Sequence, residues 1–217
     1  LREAGQEENT AIVFTADHGE CAGAHGWNKK TVFFDESARV PLIVAAKGCA
    51  AGTASDKLVN SGVDLLPTLL AAAGLPVPGG LPGCSLMPLV SGQPVAGWRD
   101  CVVVENNLVQ SGVIDGLKPE MEGRMVRTER YKYCVFGRGE RRESLVDMQD
   151  DPGEAVNRAA DPLLRDVLAQ HRERLARFGR EHGDPLAEKL LADGVKPIPF
   201  DAATAQPQNA AQAKGKK

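Results

Sequence analysis

Ala11-Ile12-Val13-Phe14-Thr15 is apolar without alternation and breaks off at Asp17-His18-Gly19-Glu20. A half-buried strand alternates apolar and polar side chains. An unbroken run therefore reads as a strand covered on both faces, the usual situation in a parallel sheet. Such a strand needs sheet neighbours and helices above and below it. Pro41-Leu42-Ile43-Val44-Ala45-Ala46 supplies one neighbour, opening on a proline where a missing N–H costs least. Too few further candidates follow to complete the surround, so the chain is expected to be the C-terminal part of a longer protein. Leu1-Arg2-Glu3-Ala4-Gly5 agrees, since it reads as the last turn of a helix with a glycine stop.

The remaining composition narrows the function classes. A chain of 217 residues has room for one large domain or two small ones. Lys and Arg number 26 against 29 Asp and Glu, a net charge of -3. That excludes a general nucleic-acid binder, which carries a basic face. The apolar stretches fall short of the ~20 residues that cross a bilayer, so no membrane span is expected. The five cysteines are scattered without zinc spacing and read as reduced or buried. Localisation and oligomeric state are left open.

Residues 1–100 read as α/β. Ala16 to Lys30 is a Gly/His-rich loop, and Ser61-Gly62-Val63-Asp64 opens a helix running to Gly74. Asp64 suits the cap or first turn there, and Pro67 is expected near that turn. Pro76 to Pro82 is a connector, and Ser85 to Val90 a short helical turn. Residues 101–200 change texture. Val102–Val104, Met125–Thr128 and Tyr131–Phe136 are short strands, the last two joined by a tight hairpin at Glu129-Arg130. Leu145–Asp147 adds another, before a turn at Asp151-Pro152-Gly153. Asp161-Pro162 then starts a helix over 161–182, with Leu163, Leu164, Val167, Leu168, His171, Leu175 and Phe178 on its apolar stripe. The expectation is a small antiparallel sheet covered by one amphipathic helix, with residues 201–217 a disordered tail.

Chemistry concentrates in Thr15-Ala16-Asp17-His18-Gly19-Glu20 and Ala24-His25-Gly26-Trp27-Asn28-Lys29-Lys30. Asp17 and His18 stand just past the C-terminal end of the first strand, the edge where open α/β sheets bind ligands. Beyond a strand end the backbone can turn two adjacent side chains toward one point, with Gly19 supplying the freedom. A carboxylate oxygen and an imidazole nitrogen suit a divalent cation, but two ligands do not close a site. From spacing alone, Asp17 capping a turn and His18 packing in a loop explain the pair equally well.

Asp17-His18-Gly19-Glu20, Ala24-His25-Gly26 and Lys30-x-x-x-Phe34-Asp35-Glu36-Ser37-x-Arg39-Val40-Pro41-Leu42-Ile43-Val44 resemble the sulfatase family of the alkaline phosphatase superfamily. The likeness continues through Val63-Asp64-Leu65-Leu66-Pro67-Thr68-Leu69, Gly83-Cys84-Ser85-Leu86-Met87-Pro88-Leu89 and Arg127-Thr128-x-Arg130-Tyr131-Lys132-Tyr133. It ends in the Asp147 to Glu154 turn and covers Leu1 to about residue 180. The resemblance implies an α/β fold, the C-terminal part of an alkaline-phosphatase-like mixed or parallel sheet sandwich. It makes Asp17 and His18 ligands of a divalent metal, with calcium first and manganese or zinc as alternatives, because an imidazole shifts preference toward the softer ions. It makes Lys30 the lysine that contacts the sulfate oxygens. His25 is then a substrate contact, a proton donor or a loop-packing residue.

The activity implied is hydrolysis of small-molecule or carbohydrate sulfate esters through a formylglycine nucleophile. The formylglycine motif, Cys/Ser-x-Pro/Ala-x-Arg, has no match here. Cys134-Val135-Phe136-Gly137-Arg138 has the Cys-to-Arg spacing but carries Phe at the Pro/Ala position and sits in a strand, so Cys134 is rejected. The nucleophile and the first acidic ligands are expected in an N-terminal part. The alternatives are a phosphonate or phosphate ester hydrolase of the same superfamily, and a non-catalytic remnant. A membrane phosphoethanolamine transferase shares only Asp-His-Gly-Glu.

Overall fold

A computed structural model describes residues 1–108, 121–137 and 141–192. The expected tail at 201–217 lies outside the described residues. The chain divides into two compact units at Asp100 and Cys101.

In the first unit, β1 (Ile12–Thr15) pairs with β2 (Leu42–Ala45). The pairing is antiparallel, with Phe14 opposite Ile43 and Thr15 opposite Leu42, which corrects the parallel reading of this pair. Unbroken apolar runs are commonest in parallel sheets, but the run by itself does not fix strand direction. The ribbon's one face carries Val13, Thr15, Leu42 and Val44, all half-buried; the other carries Ile12, Phe14, Ile43 and Ala45, all exposed. The N-terminal turn closes as the sequence leads one to expect. Gly5 has φ of 63°, and Gln6 and Gly5 donate to the Leu1 and Arg2 carbonyls, the hydrogen-bond pattern of a helix end.

A short helical turn, α1 (Asp35–Ala38), precedes β2, and α2 (Ser61–Ala72) and α3 (Met87–Val90) follow it. The cap of α2 is Asn60, whose side chain accepts from the Gly62 N–H. Asp64 lies in the first turn, one of its two expected places, fully buried at 0% exposure, and accepts both arms of the Arg99 guanidinium at 2.8 and 2.6 Å. It also accepts the Asn60 and Cys84 N–H groups. Pro67 lies in the helix interior, beyond the first turn where it was expected. Its missing N–H frees the Val63 carbonyl, and that oxygen faces Gly83, where an added Cβ would sit 1.9 Å away. Thr68 extends the same seam, donating to the Asp64 carbonyl and accepting the Leu86 N–H.

The second unit is an antiparallel meander of β3 (Cys101–Leu108), β4 (Met121–Thr128), β5 (Tyr131–Phe136) and β6 (Glu143–Asp147), paired in that order. The hairpin at Glu129-Arg130 stands as expected. Two helices pack with the sheet: α4 (Arg165–His182), led by a 3-10 turn at Pro162–Leu164, and α5 (Pro185–Ala192). The single covering helix over 161–182 is thus joined by a second. Leu168 and Leu175 of α4 and Ala187 and Leu190 of α5 close on Val126, Tyr133, Val135 and Leu145. Asn157 accepts the Leu145 N–H and donates to the Glu143 carbonyl, so the outer edge of β6 is satisfied. No helix among the described residues is long and apolar enough to cross a membrane.

Candidate active site

The chain leaves β1 at Thr15 and turns at Asp17 and His18, bringing the two side chains together. The His18 Nε2 lies 3.4 Å from the Asp17 Oδ2, and Asp17 Oδ1 accepts the His18 N–H at 3.0 Å. His18 Nδ1 lies 2.7 Å from the Gly19 carbonyl oxygen. A carbonyl oxygen only accepts, so Nδ1 carries a hydrogen, and in the neutral ring Nε2 is left as a lone pair. Either a proton on Nε2 or a cation bound between the two relieves the contact of that lone pair with the carboxylate oxygen. Orientation of a histidine through its other nitrogen onto a backbone carbonyl is also how metal-ligating imidazoles are held. The donor set therefore fits a divalent cation. Asp17 and His18 would be two of its ligands; among the described residues no group of three or more His, Cys, Asp or Glu could hold a metal ion.

From His18 the loop runs out and folds back. Cys21 N–H bonds the Lys29 carbonyl at 3.0 Å, Gly23 N–H bonds that of Trp27 at 2.8 Å, and Glu20 Oε1 accepts the Lys29 N–H. Ala22, His25 and Lys29 all adopt positive φ without being glycine. Left-handed backbone at such residues costs on the order of 1 kcal/mol each and persists only where the surroundings hold it.

The hold comes from α1. The His25 ring stacks on Phe34 with centroids 3.7 Å apart and planes 4° from parallel, and its Nε2 lies 3.2 Å from Glu36 Oε2. These contacts give His25 the geometry of its loop-packing alternative. Lys30 is half-buried, and its carbonyl accepts the Ser37 hydroxyl at 2.6 Å. The Ser37 carbonyl in turn accepts the Gly19 N–H at 2.8 Å. The structure thus joins Asp17 to His18 through side chains, and ties the main chains of Gly19 and Lys30 to one residue of α1. Cys134 is a buried strand residue in the second unit, as its rejection requires.

Glu20, Glu36 and Ser37 were missed as site residues. Glu36 and Ser37 lie within the segment Phe34-Asp35-Glu36-Ser37, which carries the family likeness, but Ser37 acts partly through its main-chain carbonyl, which leaves no mark in a sequence.

Residues 23–181 match the family model described as N-sulphoglucosamine sulphohydrolase, C-terminal. The chain is 38% identical over 189 residues to a Delta 4,5-hexuronate-2-O-sulfatase of Bacteroides thetaiotaomicron, covering 85% of this chain and 38% of that protein. Among solved structures, a 2-O GAG sulfatase matches with a TM-score of 0.74 and 33% identity over 92% of this chain and 41% of that one. The phosphonate monoester hydrolase of Agrobacterium radiobacter matches with a TM-score of 0.71 and 31% identity, over 84% of this chain and 37% of that one. The chain thus spans about two fifths of the length of these relatives. The matched residues run from within the folded-back loop through both units' sheets into α4, and the chain belongs to the sulfatase family as its C-terminal portion.

Proposed function

We propose that this chain forms the C-terminal part of a sulfuric-ester hydrolase whose substrate is a sulfated carbohydrate. The observation carrying the reading is the imidazole of His18, oriented by Nδ1 onto the Gly19 carbonyl with Nε2 beside the Asp17 carboxylate. The likeness to a hexuronate-2-O-sulfatase and a 2-O GAG sulfatase supports a sugar as the alcohol part of the ester.

Asp17 and His18 would hold a divalent ion, calcium first and manganese or zinc as alternatives. When bound, that ion supplies Lewis acidity toward an anionic ester and its nucleophile. Lys30 binds the non-bridging oxygens of the sulfate, where negative charge persists as the S–O bond breaks. His25, stacked on Phe34 and bonded to Glu36, holds the loop between the cation pair and Lys30. The nucleophile, the formylglycine of the family resemblance, belongs to the polypeptide beyond these residues.

A phosphonate or phosphate ester is the second reading, favoured by the likeness to the phosphonate monoester hydrolase, since the same cation pair and lysine suit any tetrahedral anion. The test is a panel of aryl sulfate, sugar 2-O-sulfate and aryl phosphonate esters offered to the whole polypeptide with and without chelator. Chelator-sensitive hydrolysis of the sulfates is expected. Turnover of the phosphonate alone would favour the second reading, and inertness toward all three would mark a non-catalytic remnant.

A further inference from the structure

We infer that Ser37 is a positioning residue that sets the spacing between the cation pair and the sulfate-binding lysine; the inference rests on the reading of Asp17, His18 and Lys30 given above. Ser37 is 3% exposed and makes two bonds in opposite directions. Its hydroxyl donates to the Lys30 carbonyl at 2.6 Å, and its own carbonyl accepts the N–H of Gly19, the residue following His18, at 2.8 Å. One residue therefore anchors both ends of the loop that separates the two charges.

The approach on the Gly19 side is as close as a polypeptide permits. A Cβ at Gly19 would stand 2.0 Å from the Glu36 carbonyl oxygen, so the His18 arm is pressed directly onto α1. On the Lys30 side, the Ser37 hydroxyl ties the Lys30 carbonyl to α1. Without the hydroxyl, the Lys30 carbonyl loses this partner and the Lys30 main chain is released from α1. Misplacement of a charged group by about 1 Å costs on the order of a hundredfold in rate.

The test is kcat/KM for a sulfate ester in the whole polypeptide. Ser37→Ala is expected to lower it by about tenfold to a hundredfold with the thermal midpoint nearly kept, and to add less than about twofold in a Lys30→Ala background. Ser37→Thr and Ser37→Val share one shape and differ in the hydroxyl, so Thr is expected to exceed Val by about tenfold even if the alanine variant folds poorly. The positioning role is overturned if Ser37→Ala matches wild type while Lys30→Ala is impaired, if the two losses multiply, or if Thr and Val behave alike. An unimpaired Lys30→Ala would overturn the sulfate-site reading itself, and the role of Ser37 with it.

Discussion

Lys30 and Gly83 show what a single residue carries in this chain. Lys30→Ala removes the ammonium proposed to bind the sulfate while leaving its main-chain anchor on Ser37 intact. The loss expected in transition-state stabilisation is about 2–4 kcal/mol, read as kcat/KM on a sulfate ester. Unchanged kcat/KM would make Lys30 a surface charge. Gly83→Ala belongs to stability. Its Cβ would meet the Val63 carbonyl, backbone that cannot swing aside, so a loss of about 3 kcal/mol is expected in a denaturant melt. A melt within about 0.5 kcal/mol of wild type would show that the helix gives way. The Asp17-His18 pair was legible because the two residues are neighbours in sequence at a strand end. Pro67 was legible as a constraint but not as a solution, because the glycine that accommodates the freed carbonyl lies sixteen residues away.

At the scale of elements, β5, the two-residue hairpin and α4 follow from their apolar patterns. The strands β3 and β4 extend further than those patterns suggest, through Glu105-Asn106 and Glu122-Gly123-Arg124. Arg124 sits buried in β4, bonded to both Asp184 oxygens at 2.5 and 2.9 Å, and a charge in a strand hides the strand from an apolar count. The missed helix α5 had a signal. Gly183 ends α4 in the left-handed conformation, Asp184 accepts the Leu186 N–H and Pro185 opens the helix, which repeats the Asp161-Pro162 signature.

Asp184 also sets an acid limit. Its hydrogen bonds to Arg124 hold its carboxyl below the ordinary 3.8, against the opposing effect of burial. The ionised form is favoured in the folded state. Its contribution is therefore full above the unfolded value and is lost as pH falls through and below about 4. Asp184→Asn is expected to lower stability at pH 7 and to flatten its decline below pH 4, measured by urea melts across that range. A variant with the wild-type acid slope would remove the pair from this role.

At the scale of the whole molecule, the β1–β2 ribbon is apolar on both faces, yet Ile12, Phe14 and Ile43 remain 52, 59 and 61% exposed. Covering that face is worth on the order of 1 kcal/mol for each of these side chains, and a two-stranded ribbon by itself is marginal in water. The unbroken apolar run announced a strand made to be covered on both sides; which element covers the second side is not written in the run. The chain alone is expected to bind an apolar dye strongly and melt broadly in its first unit, with both effects absent in the whole polypeptide. A sharp melt of the isolated chain without dye binding would contradict that expectation.

The proposed catalysis rests on Asp17 and His18 holding a cation. Bound calcium, manganese and zinc in the dialysed whole polypeptide, wild type against Asp17→Ala, measures that directly. Stoichiometric metal is expected in the wild type and a clear deficit in the variant, with the fold unchanged by circular dichroism. Equal metal in both would contradict the assignment.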